Sequence, residues 1–209
     1  MKQGLLIIIS GPSGVGKGTL VKKLNRDRTL PAAFSISMTT RPRRLKEVNG
    51  REYQFVSQSE FAQHIKHNDF LEYVEYCGYY YGTPKKYVDD NLKLGKSIVL
   101  EIDVEGAEKV MKLYPGMYTL AVFIMPPNNE ELERRIRMRH TEEEEKIQER
   151  LEKAKKEIDY KKDYDVSLTN YTINKTAKRL LQVIDNRIAY VDAVEEGRPT
   201  PADYVIKRP

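Results

Sequence analysis

Nine consecutive residues, Gly11-Pro12-Ser13-Gly14-Val15-Gly16-Lys17-Gly18-Thr19, set four glycines and a lysine directly after the apolar run Leu5-Leu6-Ile7-Ile8-Ile9. Glycines at this density let successive backbone N–H groups turn inward around an anion, and a helix starting behind them adds the positive end of its dipole. Lys17 then reaches the terminal phosphates of a bound polyphosphate. The order strand, glycine-rich loop, lysine, helix is the context that gives this phosphate-binding loop, or P-loop, its meaning. A strained turn without a ligand offers no packing reason for the lysine. The hydroxyl that usually follows the lysine is replaced by Gly18, and Thr19 stands one place later. Which hydroxyl faces a Mg2+ ion is therefore left open. By itself the loop points to a nucleoside triphosphate and leaves motor, GTPase switch, ATPase and small-molecule kinase all open.

Further clusters bear on the choice. Ser37-Met38-Thr39-Thr40-Arg41-Pro42-Arg43-Arg44 leads into Glu47-Val48-Asn49-Gly50-Arg51-Glu52-Tyr53. Phe70-Leu71-Glu72 precedes Tyr81-Gly82-Thr83, and Leu100-Glu101-Ile102-Asp103-Val104-Glu105-Gly106-Ala107 ends another apolar run. Arg134, Arg135, Arg137 and Arg139 stand before the acidic run Glu142 to Glu145, and Arg150 follows it. Arginine suits phosphate because its planar fork makes paired, charge-assisted hydrogen bonds. Taken singly, each residue has a plainer reading. Glu72 in an alternating strand is an outward-facing position, and the arginines form a solvated helix face paired with the acidic run.

Together and in this order, the loop and these clusters resemble the guanylate kinase family, most closely its bacterial members, from about Leu5 to Asn170. The resemblance implies the fold class: an α/β P-loop NTPase core whose parallel β-sheet is flanked by helices, with a small inserted α+β GMP-binding domain and a helical lid. It divides the chain into a core of residues 1–36, 93–126 and 161–209, a GMP-binding insertion of 37–92 and a lid of 127–160. It implies a transferase, a kinase of purine nucleotide metabolism that carries the γ-phosphoryl of Mg-ATP to GMP. Mg2+ is the implied cofactor, and ATP and GMP (with dGMP a possible substitute) are the implied partners.

By the same resemblance, ATP lies on Gly11, Pro12, Ser13, Gly14, Val15, Gly16, Lys17, Gly18 and Thr19, with Asn170 near the adenine. Arg41 and Arg44 clamp the GMP phosphate together with the hydroxyls of Tyr53 and Tyr81. Glu72 reads guanine, with Ser37 and Thr83 beside the base. Asp103, near guanine and the transferring phosphate, and Glu101, which stands where many relatives carry Asp, complete the implied GMP-binding set. Lys17, Arg44, Arg139 and Arg150, helped by Arg135, form the implied catalytic set. No direct protein ligand set is expected for the metal; Mg2+ arrives on ATP, near Thr19 or Asp103. His140 replaces a usual glycine and Glu105 a usual Gln.

The guanine reading is sound chemistry. An ionised carboxylate only accepts hydrogen bonds, and guanine presents N1–H and N2–H2 side by side, while a hydroxyl donates to O6. Adenine lacks the 2-amino group and carries no proton on N1, so it would leave Glu72 unpaired, and sites of this kind reject such analogues strongly.

The elements that must position these residues follow from the hydrophobic period. Extended apolar runs alternate with helical stretches, the pattern of a mainly parallel sheet. Strands are expected at Leu5–Ile9, Phe34–Ser37, Tyr53–Val56, Phe70–Tyr76, Tyr79–Tyr81, Ser97–Ile102, Thr119–Met125 and Asp165–Leu168. Helices are expected from Gly16, from the capping box Ser57 to Glu60, and from Thr83-Pro84, a hydroxyl cap followed by proline. Others follow at Val104–Tyr114, at Glu130–Arg139, from a second capping box at Thr141 to Glu144, and at Asn174–Glu195. Thr39 to Glu52 reads as a polar, basic loop long enough to be functional.

Composition removes other classes. Of 209 residues, 36 are Lys or Arg and 31 Asp or Glu; the resulting +5 suits an anionic ligand without choosing it. The single cysteine, Cys77, can form no internal disulfide and fits a reducing compartment, so the expected location is cytoplasmic. No run approaches a membrane span or the apolar region of a signal peptide. His64, His67 and His140 have no ligand spacing with Cys77, so no zinc site is expected. The lysine pairs are not interleaved with aromatics, which argues against a nucleic-acid surface. Two rivals stay open: a non-catalytic guanylate kinase-like interaction module, and a P-loop kinase of another phosphorylated acceptor.

Overall fold

β1 (Leu6–Ser10) is buried along its whole length because both faces of its sheet are covered. Leu6 and Ile8 join one apolar cluster, Ile7 and Ile9 the other, so the run has no need of polar alternation. The computed structural model describes residues 3–27, 29–76, 78–138 and 144–200. It continues with α1 (Lys17–Leu24), β2 (Ala32–Phe34), β3 (Met38–Thr39), β4 (Gln54–Phe55), α2 (Gln58–Lys66), β5 (Phe70–Tyr76), β6 (Tyr79–Pro84) and α3 (Lys85–Lys93). Next come β7 (Ser97–Glu101), α4 (Val104–Leu113), β8 (Thr119–Met125) and α5 (Asn129–Arg137). α6 (Glu144–Glu157) runs on as a 3-10 turn over Ile158–Asp163, ahead of β9 (Val166–Thr169) and α7 (Ile173–Glu195).

The first sheet has the order β2-β7-β1-β8-β9, with every pair parallel. This is the α/β architecture that the alternation predicts. Strand order reverses around β1, so the ligand crevice opens at the carboxyl ends of β1 and its neighbours. α1 and α7 cover one face through Leu20, Leu24, Leu180 and Ile184. α3 and α4 cover the other through Val88, Leu92, Val104 and Val110. Each such side chain contributes about 1.5–3 kcal/mol by leaving water. A buried ion pair, Arg187 to Asp165 at 3.3 Å, ties α7 to the entry of β9.

The second sheet has the order β4-β3-β6-β5. β5 and β6 pair antiparallel, with Glu72 opposite Thr83 and a register irregularity between Phe70 and Glu72. Leu71 and Glu72 are consecutive yet both buried, which strict alternation forbids; the bulge re-aims Glu72 inward. Phe61 of α2 stacks on Phe70 and Tyr80, and the capping box at Ser57 and Glu60 forms as expected.

Two local expectations need correction. The strand expected at Phe34–Ser37 lies at Ala32–Phe34, because its ladder partner is Ser97–Val99 of β7. Thr83 does not cap α3. It lies within β6 and donates its hydroxyl to Glu72, and α3 starts behind Pro84 without a side-chain cap. A charge-assisted bond to a carboxylate outweighs a neutral cap. Arg139, His140, Cys77 and the start of the second capping box at Thr141 lie outside the described residues. Among those described, no helix is long and apolar enough to cross a membrane.

Candidate functional site

The loop between β1 and α1 is shaped for an anion. Gly16 is the N-cap of α1 at φ +99°, in the left-handed region, and no side chain caps the first-turn N–H groups. A Cβ on Gly14 (φ +87°) would lie 2.6 Å from Ile136 Cγ1, so α5 packs directly on the loop. Lys17 Nζ donates to the carbonyls of Gly11 at 2.5 Å and Pro12 at 3.1 Å, which sets its ammonium inside the turn.

Several expected residues converge on this loop. Asn170, buried just beyond β9, donates to the Val15 carbonyl at 2.8 Å and accepts from the Thr176 hydroxyl at 3.0 Å. Arg135 reaches the carbonyls of Val15 (3.3 Å) and Asn170 (3.0 Å), while its Nε meets Glu131 at 2.7 Å. Hydrogen bonds from Arg134 and Arg135 hold the Glu131 carboxyl at about 2, far below the usual range. Arg150, buried on α6, donates to Ser13 Oγ at 2.9 Å. Glu101, at the carboxyl end of β7, stands beside the loop, and a Cβ on Gly18 would meet its Oε1 at 3.2 Å. Thr19 is exposed on α1.

A second constellation faces the same crevice. Glu72 is 6% exposed, and its Oε1 accepts from Thr83 Oγ1 at 2.5 Å. Asp103 caps α4 by accepting the Gly106 N–H at 2.8 Å. A Cβ on Gly106 would lie 2.7 Å from Glu72 Oε2 and 3.0 Å from Asp103 Oδ1, so the two carboxylates flank the same helix start. Burial pushes Glu72 up to about 7, against the hydrogen bond from Thr83 and with the charge of Asp103.

Arg41 is held flat. Its Nη2 meets both Glu47 oxygens at 2.9 and 3.0 Å, and its guanidinium lies 5.5 Å from the Tyr53 ring centroid. The Tyr53 and Tyr81 rings meet edge to face at 5.9 Å. Burial, followed by the nearby Glu101 charge, pushes Tyr53 up to about 12, so its hydroxyl is a neutral donor at physiological pH. Ser37 is half-buried at the entry to β3, and its carbonyl takes the Gln54 N–H at 2.9 Å. Arg44 is exposed and touches this group through its backbone N–H, 2.8 Å from Glu47 Oε2. The plain surface reading suits Arg134, paired with Glu131, and Arg137, paired with Glu133 and Glu144. Glu105 likewise forms an ion pair with Lys153 at 3.3 Å.

Two residues escape the sequence reading. Glu47 is an acid within a basic stretch, six residues after Arg41, and that contrast is the available signal. Glu157 is buried on α6, where its Oε2 accepts the Ser13 N–H at 3.3 Å. The spacing of Arg150, Ala154 and Glu157 along the buried stripe of α6 signals its direction.

A parallel sheet with an anion-shaped loop at its switch point, and a buried carboxylate in a second sheet across the crevice, define a P-loop nucleotide-binding α/β protein. Residues 3–187 match the model of the family described as Guanylate kinase. A guanylate kinase of Clostridium tetani is 43% identical over 198 residues, 94% of this chain and 93% of that protein. A guanylate kinase of Mycoplasma mycoides is 46% identical over 184 residues, 88% of this chain; the match spans 61% of that longer protein. The crystal structure of guanylate kinase from Anaplasma phagocytophilum superposes with a TM-score of 0.72 at 32% identity, covering 88% of this chain and 86% of that one. The chain belongs to the guanylate kinase family.

Proposed function

We propose that the chain transfers the γ-phosphoryl group of Mg-ATP to GMP, giving ADP and GDP. Glu72 carries the reading: a carboxyl that only accepts once ionised, buried and re-aimed by a bulge, in a chain whose other sheet bears a P-loop. Its carboxylate complements N1–H and N2–H2 of guanine, and the hydroxyls of Thr83 and Ser37 serve the base edge. Arg41, with the hydroxyls of Tyr53 and Tyr81, takes the GMP phosphate, and Arg44 joins from its exposed position.

The loop amides and Lys17 take the polyphosphate of ATP, and Asn170 lies on the adenine side. Phosphoryl transfer asks for alignment and charge compensation more than covalent chemistry. Arg150 and Arg135, already at the loop, supply charge together with Arg139, and no covalent enzyme intermediate is needed. Thr19, Glu101 and Asp103 offer the hard oxygen donors that suit Mg2+, and Glu101 Oε1 lies 3.2 Å from where a Cβ on Gly18 would be. Bound with ATP, the ion neutralises phosphate charge. We assign residues 127–160 as a lid, 37–92 as the GMP-binding insertion and the remainder as the core; closure of the lid excludes water. Such chemistry belongs to purine nucleotide turnover in the cytoplasm.

An ADP-release assay against GMP, dGMP, AMP, CMP, UMP and no acceptor tests this. GMP-selective turnover is expected, with GDP identified by chromatography. ADP release without acceptor would make the protein an ATPase; silence with ATP still bound would favour an interaction module.

Glu47 carries a finer prediction. Glu47→Gln keeps the shape but removes the charge that holds Arg41, so KM for GMP should rise about tenfold with kcat little changed. Steady-state kinetics with varied GMP measures it, and an unchanged KM would remove Glu47 from the phosphate clamp.

A further inference from the structure

We propose that Glu157 is a resident anion of the phosphate loop: its carboxylate holds the Ser13 N–H in the place of a nucleotide phosphate oxygen and yields it when nucleotide binds. The inference rests on the P-loop reading and adds a residue that determines how tightly the loop holds its ligand.

Glu157 ends α6 and is only 8% exposed. A buried carboxylate is costly unless donors compensate it. Its donor is the Ser13 N–H at 3.3 Å, inside the glycine-rich turn, and Lys153 lies 3.9 Å away on the same helix. Burial raises its pKa, and the positive charge of Lys17, the loop's own lysine, is the largest influence opposing that rise. The carboxylate therefore sits in the field built for phosphate.

The same helix grips Ser13 a second time, since Arg150 donates to Ser13 Oγ at 2.9 Å. Ser13 is thus held by an anion at its N–H and by a cation at its hydroxyl, both from α6. A polyphosphate bringing several negative charges to Lys17 repels Glu157 and competes for the N–H. Once the phosphates leave, the returning carboxylate takes back the Ser13 N–H and favours release of ADP.

Isothermal titration calorimetry with Mg-ADP and Mg-ATP compares the wild type with Glu157→Gln, which keeps the shape and removes the charge. Both dissociation constants should fall about tenfold or more, while that for GMP stays within about twofold. Unchanged or weaker nucleotide binding overturns the proposal; a residue that merely braced the loop would weaken binding and lower Tm. Should the variant fail to fold, a crystal structure of the wild type with Mg-ADP decides. Glu157 is expected beyond hydrogen-bond reach of Ser13 N, more than about 3.5 Å, and retention of the contact overturns the displacement. Wild-type protein that binds neither ADP nor ATP would instead sink the P-loop reading itself.

Discussion

Lys17→Ala is expected to lower kcat for GMP-dependent ADP formation about a thousandfold, with Tm shifted by no more than a few degrees. The ammonium lies inside the loop on the Gly11 and Pro12 carbonyls, and it belongs to no apolar cluster. Its removal therefore costs little packing. The rate depends on it because transfer moves charge onto the β-phosphate oxygens, and a preorganised cation there is worth more in the transition state than in the ground state. Arg150 and Arg135 remain at the loop, so activity falls but is not abolished. Lys17→Met separates charge from volume and should behave like the alanine variant. A loss of less than about tenfold in a coupled ADP-release assay would show that the loop amides and arginines carry the phosphate without the lysine.

The fold was readable in the chain because its two periods are physically distinct. Thr119–Met125 is a seven-residue apolar run and is observed at those same limits, since a central parallel strand must be apolar on both faces. Ser57 and Glu60 announce α2 because the capping box is a local interaction, settled within four residues. Local pattern and fold part where a distant partner decides. The Ala32–Phe34 strand is set by β7, more than sixty residues away, and Thr83 was claimed by Glu72 across a strand pair rather than by the helix beside it.

The candidate site shows the same division. Glycine spacing and the arginine clusters are local and visible, whereas the bulge that turns Glu72 inward is a property of the β5–β6 pairing. Alternation alone would have put Glu72 in solvent. Glu47 and Glu157 were harder still, since an acid beside arginines or on a charged helix looks like ordinary surface. Glu47 turns back on Arg41 six residues before it, whereas Glu157 meets Ser13 of the phosphate loop, 144 residues away, a contact that only the fold creates. The arginine pairing is also selective in a way that composition cannot show: Arg135 and Arg150 turn to the loop, and Arg134 and Arg137 to neighbouring glutamates.

Glu72→Gln should lower kcat/KM for GMP by about a hundred- to a thousandfold and erase most of the preference over AMP. The Thr83 hydroxyl, 2.5 Å away, anchors an oxygen at Oε1, which leaves a glutamine NH2 to face the donors of guanine. Two donors facing each other lose the charge-assisted bonds and leave buried groups unpaired. The same residue fixes a pH dependence. Burial holds Glu72 at about 7, so below that pH the free protein carries a proton that guanine binding must expel. kcat/KM for GMP should therefore fall about tenfold per unit below pH 7 and level off above it. In folding the sign is opposite to that of a salt-bridged carboxylate: stability declines as pH rises from the ordinary carboxylate value to about 7, because the fold disfavours the anion. The GMP phosphate itself titrates near pH 6, so the Glu72→Gln profile serves as the baseline and the difference between the two profiles isolates the carboxyl. Parallel profiles from pH 5.5 to 8.5 would mean that Glu72 does not meet the base as an anion, and the guanine reading would lose its carrier.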